Sequence, residues 1–310
     1  MKPKILIAAD VPGWALDRTA ENVIKRLDSL YRFEKIFNAD ISQRLKYKDY
    51  DLFYLCYWRQ LEDAGIDITV PASSVTGIRS HFKWDGGCSN PPPEEMICFL
   101  RKFIAINVPS LILFNIFMER HPAVFYTPHG VDEKIFYPAE SRAVRSQGGE
   151  LVVGWTGSRD NHPGKRGLDD YIMPAIRDLS GVSLKVAARE DKWRGQDEMV
   201  KFYHDIDVYL CASRTEGGPH PVLEAASSGV PVISTRVGIA PELIENMHNG
   251  ILVERSVESI RNAIILLRDN PELRKNMGMN ARAVVEDHWT WDKQVRHYIS
   301  FFNYALGVAG

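Results

Sequence analysis

Two carboxylates bracket a Gly-Gly-Pro turn in the stretch TEGGPHPVLEAASSGVPVIST, residues 215–235. Glu216 precedes the turn, and Glu224 falls inside a predicted helix that Pro221 opens and Gly229 closes. A carboxylate near the positive end of a helix is stabilised by the backbone dipole, which accounts for Glu224 without any ligand. It does not account for Gly217 and Gly218, which remove side chains where backbone amides would be bared. Amides at a helix start, flanked by two anionic acceptors, fit a ligand with phosphate at one end and several hydroxyls.

A second group stands upstream. GWTGSRDNHPGKRG, residues 154–167, supplies Gly157, Arg159, Lys165 and Arg166 between a predicted strand and a predicted helix. Close backbone approach, three cations and a helix start suit a diphosphate; a solvated basic loop explains the same residues. The spacing is neither G-x-G-x-x-G nor G-x-x-x-x-G-K-[ST], so dinucleotide and P-loop readings fail. Asp49-Tyr50-Asp51 and Asp205-Ile206-Asp207 each precede an apolar strand, which puts their carboxylates at the wrong end of a sheet for metal chemistry. No metal is expected. His81, His129 and His220 stand singly, without ligand spacing, and no G-x-S-x-G elbow is present. Trp289, Trp291, Tyr298, Phe301 and Phe302 read as packing.

These groups need a frame to hold them. KILIAA reads as a strand and LDRTAENVIKRLDSL as a helix, with Ala20, Val23, Ile24, Leu27 and Leu30 at helical spacing. DLFYLCYW and ITVPASSVTGI follow as strands, EEMICFLRKFIAIN as a helix, and SLILFNIF as a strand or helix start. RAVRSQGGE, 142–150, reads as a linker. Beyond it come strand LVVGWTG, helix LDDYIMPAIRDL, strand VSLKVAA, helix QDEMVKFYHDI and strand DVYLCAS. Strand VPVIST, helix APELIENM, strand NGILV and two or three closing helices complete the chain. Alternation with short connections predicts two doubly wound parallel sheets, with ligands at the carboxyl ends of the strands in a cleft between the halves.

Composition excludes several classes. The chain has 310 residues, 45% hydrophobic and 25% charged, which suits two globular domains. A net charge of −2 gives no basic surface of the kind that holds nucleic acid by counterion release. Cys56, Cys88, Cys98 and Cys211 lack metal-ligand spacing and read as buried free thiols in a reducing cytosol. The apolar run Ile5 to Ala9 is short for a secretory signal, and nothing approaches the ~20 apolar residues of a spanning helix. The expected location is cytoplasmic.

The E-x7-E arrangement Glu216…Glu224 within SRTEGGPHPVLEAASSGVPVIST, followed by VGIAPELIENMHNGILV, resembles the donor-site signature of family 4 glycosyltransferases. These are retaining enzymes of the GT-B fold. FYTPHGVDEKIFYP resembles the family's segment ending the N-terminal domain, VVGWTGS…KRGLDDYIMPAI its phosphate loop, and HWTWDKQVRHYISFF its closing helix. Over 1–124 the resemblance is topological, with Pro12-Gly13 where the family has a glycine-rich loop. It implies an acceptor-side Rossmann-like domain over 1–142, a donor-binding Rossmann-like domain over 143–286, and a helix at 287–310 crossing back to the first domain.

The resemblance also implies roles. Glu224 takes the ribose hydroxyls of a nucleotide diphosphate sugar, while Glu216 and the amides of Gly217 and Gly218 orient the sugar. Arg159 and a cation of the Lys165-Arg166 pair neutralise the departing diphosphate. Gly13, Gly157, Ser158, His220, Pro221 and Val222 complete the donor-binding set. Many members carry a histidine after a first-domain strand; LCYWRQ has none, and His81, after VTGIRS, is the substitute. The implied activity is metal-independent, retaining transfer of a sugar to an unknown hydroxyl acceptor, glycan, lipid-linked or small. The rival readings are a transferase acting on hydroxymethylated bases in DNA, disfavoured by the balanced charge, and a catalytically silent nucleotide-sugar-binding protein. NVIKRLDSLYRF, QRLKYKDY and FLRKFIAI interleave basic and apolar residues, which would suit peripheral contact with the inner membrane face; lysines facing solvent explain the same pattern.

Overall fold

The computed structural model describes residues 2–44, 49–65, 70–81, 91–140, 150–159 and 164–308. The chain divides into two compact units, Met1–His129 with Trp291–Gly310, and Gly130–Thr290.

The first unit is a six-stranded parallel sheet. Its strands are β1 (Lys4–Ala9), β2 (Arg32–Phe37), β3 (Leu52–Leu55), β4 (Ser74–Gly77), β5 (Ala105–Val108) and β6 (Val124–Tyr126). Their order is β2-β1-β3-β4-β5-β6, so the winding reverses between β1 and β3. β1 buries five of its six residues, the near-continuous apolar run of a strand covered on both faces. Helices α1 (Ala15–Leu27), α2 (Ile41–Arg44), α3 (Gln60–Asp63), α4 (Glu94–Leu100) and α5 (Leu111–Phe117) connect the strands. Two sequence expectations need correction. The helix expected over 94–107 ends at Leu100; the chain turns at Arg101-Lys102, and the β-branched Ile104, Ile106 and Val108 lead into and along β5. Of the strand expected over 68–78, the described part is β4 alone, after a turn at 72–73.

The second unit is a five-stranded parallel sheet of β7 (Leu151–Gly157), β8 (Val182–Ala188), β9 (Val208–Cys211), β10 (Val232–Thr235) and β11 (Gly250–Val253). The order is β11-β10-β9-β7-β8, with reversal between β7 and β9. A π-helical turn, Leu168–Ile172, leads into α6 (Met173–Ile176). Helices α7 (Gln196–His204), α8 (His220–Ser227), α9 (Ala240–Leu243), α10 (Val257–Asp269) and α11 (Pro271–Val284) follow. This unit starts at Gly130, ahead of the break expected at 142/143, because 131–136 is anchored in it. Val131 N–H donates to Trp289 O at 2.9 Å, and Phe136 O accepts from Ser227 Oγ at 2.6 Å. The expected linker lies almost wholly outside the described residues.

The chain returns to the first unit through α12 (Trp291–Gln294) and α13 (Arg296–Leu306). The aromatic stripe is divided between two cores: Trp289 packs in the second unit, while Trp291, Tyr298, Phe301 and Phe302 pack in the first. Phe301 and Phe302 both meet the Tyr54 ring edge-on at 5.6 Å between centroids. Cys56 and Cys211 are buried free thiols as expected, Cys98 is free but exposed on α4, and Cys88 lies outside the described residues. Among the described residues no helix is long and apolar enough to cross a membrane.

Candidate active site

Open parallel sheets bind ligands outside the carboxyl ends of their strands, where the winding reverses. In the second unit that position lies between β7 and β9, and the two motifs singled out above leave the sheet there. Arg166 Nη1 donates to Glu216 Oε1 at 3.0 Å, and Ser213 Oγ donates to the same oxygen at 2.9 Å. The neighbouring Glu216 carboxylate holds the Arg166 guanidinium above its ordinary pKa, against the opposing effect of burial. Glycine makes the approach feasible. A Cβ at Gly157 would lie 2.8 Å from Arg166 Cδ, and one at Gly167, whose φ is +72°, would lie 2.5 Å from Ala212 O.

Arg255, just past β11, ties the basic loop down. Its Nε donates to Ala212 O at 2.9 Å, and its Nη2 donates to Lys165 O at 3.3 Å and to Gly164 O at 2.5 Å. Its guanidinium stacks 4.2 Å over the Tyr171 ring. A planar five-donor fork suits three carbonyls and an aromatic face at once.

Glu224 is buried in α8, and its Oε2 accepts from the Tyr203 hydroxyl at 2.8 Å. No side chain caps the start of α8. Glu216 does not cap it, being turned instead toward Arg166 and Ser213. The Gly-Gly-Pro loop is pressed by the turn after β10: a Cβ at Gly238, φ +51°, would lie 2.7 Å from Gly217 O and 2.8 Å from Pro219 Cδ. Val222 is fully buried, while Gly218, His220 and Pro221 are half-buried along the loop and first helical turn.

Arg159 goes elsewhere. Its Nη1 donates to Asp191 at 3.0 Å, its backbone N–H to Glu190 Oε2 at 3.0 Å, and the Ser158 hydroxyl also bonds Glu190. The structure therefore joins Gly157, Arg166 and Glu216 directly, with Ser158 and Arg159 drawn to the loop after β8. Lys165 is half-buried, and its carbonyl accepts from Arg214 N at 2.8 Å. The triplet aspartates sit at the amino ends of strands: Asp207 Oδ2 accepts from Val152 N at 2.8 Å, Asp205 pairs with Lys185 at 2.6 Å, and Asp51 accepts from Lys4 N at 2.7 Å. Among the described residues no three His, Cys, Asp or Glu side chains gather as metal ligands would.

In the first unit the reversal lies between β1 and β3, and the loop after β1 carries Asp10 and Gly13. Gly13 takes a φ of +77° and donates its N–H to Asp17 Oδ2 at 2.8 Å; Asp17 is ion-paired with Lys35. Burial raises the Asp10 pKa above its ordinary value. Gln60 reaches in from α3, donating to Ala8 O at 2.8 Å and Ala9 O at 2.9 Å. His81 is buried. Sequence reading missed Ser213, Tyr203, Gly238, Arg255 and Asp10; for Arg255 and Asp10 the signal was there, since each closely follows a short apolar strand.

Two parallel-sheet α/β units of this order define the GT-B class. The chain is similar to sucrose-phosphate synthase from Thermosynechococcus elongatus, with a TM-score of 0.77 at 14% identity over 99% of this chain and 100% of that one. It is likewise similar to HepE of Anabaena, solved with UDP and glucose, with a TM-score of 0.70 at 14% identity over 96% and 100%. These likenesses show the fold. Within that class, residues 192–284 match the family described as Glycosyl transferases group 1. The chain is 36% identical over 223 residues to the GDP-mannose-dependent monoacylated alpha-(1-6)-phosphatidylinositol monomannoside mannosyltransferase of Corynebacterium glutamicum, covering 56% of this chain and 54% of that protein. It is 33% identical over 108 residues to N-acetyl-alpha-D-glucosaminyl L-malate synthase of Bacillus anthracis, covering 34% and 28%. The chain thus spans about half or less of the curated relatives it matches.

Proposed function

We propose that the protein is a retaining glycosyltransferase that moves a sugar from a nucleotide diphosphate sugar to a hydroxyl acceptor without a divalent metal. The observation that carries this reading is the Arg166–Glu216 pair, held by Ser213 beside the uncapped start of α8. A guanidinium next to bare helix amides suits a diphosphate, and a preorganised cation stabilises the charge that develops as the diphosphate leaves. Glu224, anchored by Tyr203, accepts from ribose hydroxyls, and Glu216 faces the sugar. Arg159 or Lys165 adds a second cation once a ligand competes with Asp191 for Arg159. The match of residues 192–284 to group 1 glycosyl transferases, and relatives and neighbours whose names include GDP-mannose and UDP, support the donor class. Thermal shift with UDP, GDP, ADP and their sugar conjugates tests it. A ligand at 100 times its Kd adds about 2.7 kcal/mol of stability. Slow donor hydrolysis should follow and should survive EDTA. Silence to every nucleotide, or activity lost in EDTA and restored by manganese, would overturn the reading.

A further inference from the structure

Arg79, two residues past β4 at the carboxyl edge of the first sheet, has no carboxylate partner among the described residues. Its Nε donates to Cys56 O at 2.6 Å; its Nη2 donates to the Tyr54 hydroxyl and, at 3.3 Å, to Asn107 Oδ1. Among the described residues Nη1 is buried without a hydrogen bond of normal geometry, the nearby Tyr298 hydroxyl being the neutral group that interacts with the guanidinium. The groups around the guanidinium, the Tyr54 and Tyr298 hydroxyls and the Cys56 thiol, are neutral at physiological pH, and burial moves each further from ionising. A cation held by neutral partners with a bare N–H is costly unless an anion completes it. The strand is adapted to it. A Cβ at Gly77 would lie 2.4 Å from Arg79 Nη2, so only glycine lets the guanidinium fold back over β4. Cys56, which holds Nε, immediately follows β3, beside the reversal where ligands bind in such sheets.

We propose that this edge is an oxyanion subsite in which Arg79 receives a carboxylate or phosphate group carried by the acceptor. The word acceptor rests on the glycosyltransferase reading; the oxyanion site does not. Arginine's fork matches either anion bidentately, and Asn107 and Thr127, hydrogen-bonded at 2.7 Å, supply further polar groups alongside.

The test is thermal shift in inorganic phosphate and in acetate against chloride at equal ionic strength, on the full chain. Wild type should gain stability in one of the two beyond chloride; phosphate alone assigns a phosphate ester, acetate a carboxylate. Arg79→Gln should lose the response. Asn107→Asp, which puts a carboxylate within reach of Nη2, should raise the melting temperature in chloride and also lose the response. Arg166→Gln should keep it. No anion-specific shift in wild type, or one that Arg166→Gln abolishes and Asn107→Asp retains, overturns the proposal. A phosphate response without any nucleotide response would keep the subsite and discard the glycosyltransferase reading.

Discussion

Glu216 and Glu224 have different partners, and the difference separates their expected effects. Glu224 is bonded to Tyr203 rather than to Arg166 or Ser213; on the proposed reading its contact with a ribose would be the same in ground and transition states. Glu224→Ala should chiefly raise the donor KM, with a smaller fall in kcat. Glu216 shares an oxygen between Arg166 and Ser213; on the proposed reading its charge would face the positive charge that develops on the sugar. Glu216→Gln keeps the shape and removes the charge, and should lower kcat by roughly 10²-fold, or ~2.7 kcal/mol, with nucleotide binding little changed. Equal kinetics in both variants would leave only a structural role for the pair. Asp10 offers a pH readout. Its folded pKa lies above the unfolded value of 3.8, chiefly through desolvation, so its stabilising contribution is full below 3.8 and is lost as pH rises through the folded value. Asp10→Asn removes that loss. The variant should therefore gain in melting temperature over wild type between acid and neutral pH, and a constant difference across that range would refute the assignment.

The glycines that shape the site loops are testable as elements of backbone. Gly167→Ala meets both a φ of +72° and the Ala212 carbonyl, whereas Gly181→Ala meets a φ of +70° and open space. Gly181→Ala should cost about 1–2 kcal/mol from the left-handed conformation alone and leave kinetics unchanged. Gly167→Ala should cost more and also raise the donor KM, because Arg166 is displaced with the loop. Similar stability and kinetics in the two would refute the close approach. Much of this frame was legible in sequence. LVVGWTG and VSLKVAA coincide with β7 and β8, since each is a compact apolar run bounded by turn residues. β2 was missed because RFEKIF, an edge strand, buries only one residue, and the adjacent Glu34-Lys35 and Ile36-Phe37 break the alternation that would mark a half-buried strand. EEMICFLRKFIAIN read as one helix because short apolar runs on both sides of Arg101-Lys102 hide the change of period from helix to strand. At the site, motif spacing pointed to Glu216, Glu224 and the basic loop; the place of Arg255 just past an apolar strand marked it as a candidate, but no local pattern could say what it bonds. The partners of Arg255 follow other strands and are brought near only by the sheet order, whereas Ser213 bonds Glu216 three residues further along its own loop.

The two units have separate cores, the first completed by α13. Phe301→Ala, in a fully buried position against Tyr54, should cost about 3–5 kcal/mol. In calorimetry that loss should appear in the transition of the first unit, while a bound nucleotide raises that of the second; a single transition lowered by the one and raised by the other would show that the units unfold together. The same connectivity has a consequence for biosynthesis. On the ribosome, Met1–His129 emerges before Gly130–Thr290, yet the aromatic cover over Tyr31, Tyr54 and Phe125 comes from residues made after Gly130–Thr290. At ~5–20 residues per second, that surface waits roughly 10–30 s for its lid. The second unit, contiguous in sequence, can close during the wait. Nascent chains stalled with residues 130–290 outside the tunnel should therefore resist protease over the second unit and be cut in the first. Of the two sheets, the one translated earlier is finished later, and it is the one that would need a holdase during synthesis.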